Sequence, residues 1–331
     1  MTWTAFSRRA ARRVGGIRSK HRAEAILSSY VTNRMIHSAI SMVGLIILVF
    51  FLSRLTGNPT DLYLPIDTPA DVRAAFSKAN GFDDPLLIQF QHFLVDLFRF
   101  DFGTSLRQER PVLTLVLDAF PTSLMLAASA MTLAMVVAIV AGALAARSPN
   151  GVLDRFVNII SLAGTSLPNF WLALVSVLVF AVWLRWLPTS GPGGPSHWVL
   201  PVLVLAVRPC GLIAQVVRGA MINALSSAYV KTARAKGVRT RAIVFVHALR
   251  NAMLPIITVA GDQATGMING AVVIEMIFGF PGIGRLMMES IQYRDFAVIQ
   301  GGVIVTAAAI FALNIVIDLA YALLDPRIKH A

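Results

Sequence analysis

Acidic residues are scarce in this chain. Its 331 residues include 17 Asp and Glu against 29 Lys and Arg, and charged residues make up only 14% of it. A soluble domain carries about 25% charge, so the surface of an ordinary soluble protein is excluded. Cysteine occurs once, as Cys210, which excludes an intrachain disulfide. That thiol falls inside an apolar run and is expected to pack there. The six histidines, His21, His37, His92, His197, His247 and His330, are scattered without metal-ligand spacing. No Cys/His cluster, zinc-protease pair of histidines or nucleophile elbow occurs. There is no phosphate loop either. Gly279 to Gly284 is glycine-rich, but no Lys-Ser/Thr pair follows it, and it reads as a tight turn. No catalytic residue and no metal site is expected. Internal repeats and low-complexity tracts are also missing.

What the chain has is apolar length. Hydrophobic residues make up 56% of it and the mean hydropathy is +0.70. A spanning helix needs about 20 mainly apolar residues. Uncharged runs place the first span at Met35 to Ser53 and the second at Ala119 to Ala146. The run Phe156 to Leu184 is long enough to start as a helix outside the membrane, with the third span in its second half. The fourth lies near Trp198 to Val217, the fifth near Leu254 to Ile274, and the sixth near Phe296 to Ile317. The fold class is therefore all-α, a polytopic membrane protein with six transmembrane helices. Six spans put both termini on one side.

Charge decides which side. The net charge of +12 does not signal nucleic acid, because the basic residues flank the apolar runs, as the positive-inside rule expects. Residues 1–34 hold eight Lys or Arg and residues 218–255 hold seven, with no acid in the latter. Residues 56–118 hold five against nine acids. The termini and the 218–255 loop are thus expected to be cytoplasmic, and residues 56–118 external, or periplasmic in a bacterium. The expected organisation is a basic cytoplasmic extension (1–33), a first helix (34–55), an external helical segment (56–118), a transmembrane core (119–323) and a cytoplasmic tail (324–331). No small-residue cleavage site follows the first apolar run, so no cleaved signal peptide is expected. In the extension, Phe6, Ala10, Val14 and Ile17 share a helical face. It is either a helix on the lipid surface or a solvated basic tail.

The external segment carries its own helix signals. Thr68 and Pro69 suit an N-cap and a first helical position, and Gly81 can end that helix. Asp84-Pro85 opens a second helix. There Leu86, Leu87, Phe90, Phe93, Leu94 and Leu97 recur at helical spacing, giving a face for the membrane domain. Pro111 to Pro121 reads as a short interfacial helix before the second span.

The sharpest signal is the stretch Tyr229 to Gly237, YVKTARAKG. It reads as a short basic helix closed by a glycine. Continued by His247 to Asn251 and Leu254-Pro255, it resembles the loop with which permeases of binding-protein-dependent ABC importers dock their ATPase. The likeness is to the dipeptide/oligopeptide/nickel branch, and to the first of its two permeases. It runs from about Tyr30 to the C-terminus. Further matches are Phe82 to Leu86 with Gln89-Phe90, Phe102 to Ser105, Pro168 to Trp171, Glu275 with Phe278 to Gly284, and Asp318 to Arg327. The sequence departs from that pattern at Lys231 to Ala233, at Asn58, at Gln215, and at Arg208 and Asp262.

The resemblance implies a type I ABC importer membrane-domain fold in the bacterial inner membrane. It implies a homologous second permease, two ATPase subunits that hold the ATP and magnesium, an external substrate-binding protein, and lipid contact. It implies no cofactor in this chain, no covalent chemistry, and a short peptide as cargo, with nickel, opines, glutathione-like compounds or oligosaccharides as alternatives. Tyr229, Val230, Lys231, Thr232, Ala233, Arg234, Ala235, Lys236 and Gly237 would form the coupling element. Arg208 and Asp262 sit deep in spans four and five, where a charge costs about 2.5–3.5 kcal/mol. They either pair or face water in a shared pathway. Gly266 and Gly270 either permit close helix packing or form a gate, with Asn269 between them as a pathway candidate. Asp318 with Asn314 is either a polar clamp or an interfacial charge. Glu275, Phe280, Pro281 and Gly282 would either meet the binding protein or only make a turn. The rival class is a self-contained proton-driven transporter using Arg208, Asp262 and Asp318, but the inverted repeats such proteins can show are not visible.

Overall fold

The computed structural model of the chain describes residues 32, 35–54, 60, 64, 65, 67–105 and 107–324, with side chains as far as residue 317. The basic extension, residues 57–59 and the C-terminal tail lie outside the described residues. Among the described residues there is no strand, only one isolated bridge between Thr104 and Pro111. Five helices are long and apolar enough to cross a membrane, and a bent pair brings the number to as many as six. The all-α polytopic expectation therefore holds.

Helix α1 is Met35–Arg54. Two short helices follow, α2 (Ala70–Ala79) and α3 (Leu86–Phe98). Phe50 of α1 is fully buried against Phe90 and Phe93 of α3, with ring centroids 5.1 and 5.4 Å apart. Such aromatic pairs contribute about 0.5–1.5 kcal/mol beyond their buried area, and they dock α3 on α1. Leu86 and Leu87 stay exposed, so only part of the apolar face of α3 is used. Gly81, at φ 66°, ends α2 as expected. Thr68 does not cap it: Pro69 holds the N-cap position with no side-chain hydrogen bond. The Thr68 carbonyl instead accepts from Arg73 Nε at 3.3 Å.

Helix α4, Val112–Ala145, runs for 34 residues, about 51 Å at 1.5 Å per residue. That exceeds the roughly 30 Å hydrocarbon core. The interfacial helix expected at Pro111 to Pro121 is thus the first part of the second span, with Pro121 inside a continuous helix. The next span is broken. Helices α5 (Val152–Ser166) and α6 (Asn169–Trp183) meet at 103°. Leu167 between them is extended, at φ −83° and ψ 132°, because Pro168 disfavours a helical residue before it. Helix α6 is the second half of the run, where the third span was expected. Helix α7 is Pro195–Leu225, and α8 is the eight-residue Ala228–Ala235. Helix α9, Thr240–Phe278, includes a π-helical turn at Ile243–Ala248. Helices α10 (Ile283–Gln292) and α11 (Phe296–Leu324) are the last described.

The core forms where α4, α7 and α9 meet. Lipid tails offer no hydrophobic drive between helices, so close packing of small residues holds such bundles together. Ala127, Ala130, Ala134, Ala138 and Gly142 make a buried stripe down α4. A Cβ on Gly142 would lie 2.7 Å from the Ala214 carbonyl oxygen of α7. Helices α5 and α7 approach through Gly164 and Gly211, where a Cβ would lie 2.9 Å from Val207 and 2.7 Å from the Ser161 oxygen. Gly266 and Gly270 take no part in this. A Cβ on Gly266 meets nothing within 4 Å, and one on Gly270 makes ordinary contacts at 3.5 and 3.7 Å.

Candidate functional site

The basic stretch folds as read. Helix α8 ends in a paired closure: the Val238 N–H donates to the Ala233 carbonyl at 3.1 Å and the Gly237 N–H to the Arg234 carbonyl at 3.0 Å. This arrangement needs a left-handed residue after the C-cap, and Gly237 supplies it at φ 74°. A Cβ there meets nothing within 4 Å, so backbone conformation, not crowding within this chain, selects glycine. Val230 is fully buried and fixes α8, which packs on the π-helical turn of α9. Tyr229, Lys231, Thr232, Arg234, Ala235, Lys236 and Gly237 are exposed, and Ala233 is half-buried. Val230 is thus an anchor, while the rest present a basic surface. None of the three basic side chains forms an ion pair among the described residues.

Near α8, a second feature escaped the sequence reading. Asp154 in the first turn of α5 is buried and takes a two-pronged ion pair from Arg218 of α7. Arg218 Nε meets Oδ1, and Nη2 donates to Oδ2 at 2.7 Å. The Asn150 N–H also donates to Oδ2 at 2.8 Å. The bond fixes the start of α5 to the end of α7, ten residues before α8.

The membrane charges meet in one place. Arg208 of α7 and Asp262 of α9 line a cavity of about 570 Å³, together with Asn169, Gln263, Gly266 and Asn269. The two form no ion pair with each other or with any other described residue. Gln263 Nε2 donates to Asp262 Oδ2 at 3.0 Å. Direct pairing is not formed, and the two side chains line one cavity. Asn169 stands at the first position of α6, just past the Pro168 break, and its Oδ1 is buried without a hydrogen-bond partner. It belongs to a stretch noted for its resemblance but not marked as a site. Thr265, also unmarked, lines the cavity and donates to Asn314 Oδ1 of α11 at 2.9 Å. The side chain of Asp318 lies outside the described residues.

At the opposite end of α9 from α8 stands the turn after Phe278. Glu275, expected at the surface, is fully buried. Its Oε1 accepts from Ser123 Oγ at 2.6 Å and its Oε2 from the Arg285 N–H at 3.2 Å. Ser123 Oγ accepts in turn from the Ile283 N–H at 2.9 Å. The carboxylate therefore closes the N-terminus of α10, where free N–H groups and the helix dipole favour a negative charge. It fits because residue 282 is glycine: a Cβ there would sit 2.2 Å from the carboxyl carbon. Phe280 is buried edge-on against Trp198, centroids 4.9 Å apart, and Gly282 is buried too. Of the four residues named for a surface contact, Pro281 alone is exposed. The others are excluded from direct contact by burial. The exposed surface beside them holds Glu289, bonded to Arg285 at 2.8 Å and Arg107 at 3.1 Å, with Arg107 3.9 Å above the Tyr293 ring. Beneath it, Ser105 Oγ donates to the buried Asp295 carboxylate at 2.5 Å, tying the Phe102 to Ser105 stretch to the start of α11.

Comparison with known proteins places this geometry. Residues 138–330 match the family described as binding-protein-dependent transport system inner membrane component. The chain is similar to the glutathione transport system permease protein GsiC of Escherichia coli K12, with 34% identity over 303 residues, 91% of this chain and 99% of that protein. The Salmonella typhimurium protein of the same name gives the same 34% identity and coverage. In fold, the chain resembles a chain of the MetNI methionine ABC transporter in an inward-facing conformation. The TM-score is 0.55 at 15% identity, covering 64% of this chain and 97% of that one.

Proposed function

Because this chain belongs to the family of binding-protein-dependent transport system inner membrane components, we propose a particular part for it within an ABC importer. It is a permease subunit of the dipeptide/oligopeptide/glutathione branch. In the proposal it forms half of the pathway and pairs with a homologous second permease. Two ATPase subunits dock on the face bearing α8, which is cytoplasmic together with both termini. A substrate-binding protein docks on the opposite face, over α10 and the external segment. ATP and magnesium belong to the ATPase subunits, and this chain makes and breaks no bond.

The cargo we propose is a short peptide. Glutathione, the compound in the relatives' name, is itself a tripeptide and fits that class. A peptide also suits a cavity that holds one cation, one anion and several amides.

The observation that carries the reading is α8. A short helix anchored by Val230 and closed by Gly237 presents a rigid basic surface to a partner. Closure of the ATPase pair would push that surface. Val230 would pass the push to the π-helical turn of α9, and α9 lines the cavity. ATP binding would favour the outward-open state, and hydrolysis with product release would reset it. The test is purification of the tagged chain in mild detergent from its native membrane, with mass spectrometry of what accompanies it. A second permease and a phosphate-loop ATPase are expected, and the ATPase should be lost from Gly237→Glu. A chain that travels alone, unchanged by that substitution, would return the protein to the class of self-contained transporters.

A further inference from the structure

We propose that the cavity between α7 and α9 reads the charge of its cargo, with Arg208 taking a carboxylate and Asp262 an ammonium group of one zwitterionic molecule. The inference rests on the importer reading and adds a recognition step inside the membrane, beyond any selection by a binding protein. Both residues lie well inside long apolar helices, 17 residues from the end of α7 at Leu225 and 16 from the end of α9 at Phe278. A charge at such depth costs about 2.5–3.5 kcal/mol unless water or a partner receives it. Neither residue has an ion-pair partner among the described residues, and both are exposed on the same cavity.

The signs matter. A purely anionic cargo would be repelled by Asp262, and a purely cationic one by Arg208. A zwitterion satisfies both with charge-assisted hydrogen bonds, roughly twice as strong as neutral ones. The volume of about 570 Å³ falls within the range of about 300–1,000 Å³ for small-molecule sites. The amides of Asn169, Gln263 and Asn269 share the lining with the two charges. Gly266 leaves its part of the wall open, since a Cβ there meets nothing within 4 Å.

That open position supplies the test. The whole importer is reconstituted in lipid nanodiscs with the native thiol removed (Cys210→Ala) and a reporter introduced (Gly266→Cys). The rate at which a small methanethiosulfonate modifies the reporter is measured with trialanine, and with trialanine blocked as its N-acetyl amide. Trialanine should slow the reaction about tenfold, a difference of about 1.4 kcal/mol, and the blocked peptide should not. Arg208→Gln and Asp262→Asn should each abolish protection, whereas Arg208→Lys should retain it and so show that the cavity is still formed. Equal protection by the blocked peptide overturns the proposal, as does no protection at all or protection that survives both neutral substitutions. The subunits recovered with the chain report on the importer reading separately: protection of the reported kind in a chain that travels alone would leave the charge reading intact and the importer reading refuted.

Discussion

Replacing Gly142 with Ala adds one methyl group where α4 touches α7. That methyl would lie 2.7 Å from the Ala214 carbonyl oxygen and 2.8 Å from Cβ and Cγ1 of Val217. Rotation of Val217 would move its Cγ1 but not its Cβ, and the carbonyl belongs to the backbone of α7, so the two helices must move apart. Overpacking of this kind costs about 1–3 kcal/mol. It is partly offset by the gain of about 1 kcal/mol when Ala replaces Gly inside a helix. Gly219 of α7 isolates the two effects, because a Cβ there meets nothing within 4 Å. Gly219→Ala keeps the helix gain without the clash. The propensity gain is common to both variants and cancels in their difference. Gly142→Ala should therefore be less stable than Gly219→Ala by about 1–3 kcal/mol. For a chain of this length the shift is about 1–2 °C per kcal/mol, so thermal unfolding in detergent should show a difference of about 1–5 °C. Two variants within about 0.5 kcal/mol of each other, the usual range of neutral substitutions, would refute the claim that a small-residue stripe sets the spacing of α4 and α7.

Other substitutions probe the remaining features. Arg218→Gln leaves the buried Asp154 carboxylate unpaired and should cost about 3 kcal/mol; adding Asp154→Asn should recover most of the loss in Tm, and a double variant no better than the single one would deny the coupling. Val230→Ala should loosen α8 from α9, seen as faster hydrogen exchange over residues 228–237 with the rest of the chain unchanged. Glu275→Ala strips partners from Ser123 and from the first turn of α10, at about 1–3 kcal/mol; limited proteolysis should then cut residues 279–295 sooner, and unaltered cleavage would argue against the carboxylate as the closure of that helix.

Much of the fold was legible because membrane spans announce themselves through uncharged length. Met35 to Ser53 matches α1 to within one residue at its end. The Gly237 closure was legible too, since glycine after a short basic helix has few other uses. Long-range polar contacts were not. Asp154 and Arg218 are 64 residues apart, and Ser123 and Glu275 are 152 apart, and no local pattern links either pair. Glu275 was read outward because the resemblance implied a binding-protein contact there. The signal that it points inward is Gly282, whose missing Cβ makes room for the carboxylate. Glycines were equally deceptive. Gly266 and Gly270 have the helical spacing of a packing motif yet line a cavity, while glycines that do pack between helices, among them Gly142, Gly164 and Gly211, stand alone among larger residues. Spacing says which residues share a face but not what that face meets.

Helix α9 passes all three features in turn: α8 docks at its beginning, the cavity opens at its middle, and the carboxylate of Glu275 seals the turn at its end. Its 39 residues span about 58 Å as one helix. Such an element is a lever. A tilt of about 10° carries its far tip by about 10 Å over that length, with no relay of individual side chains. The π-helical turn at Ile243–Ala248 lies against α8, close to the beginning of the helix. Pro255 stands just beyond it and the helix continues to Phe278, so in the importer reading a push on α8 would arrive at the Glu275 end as displacement.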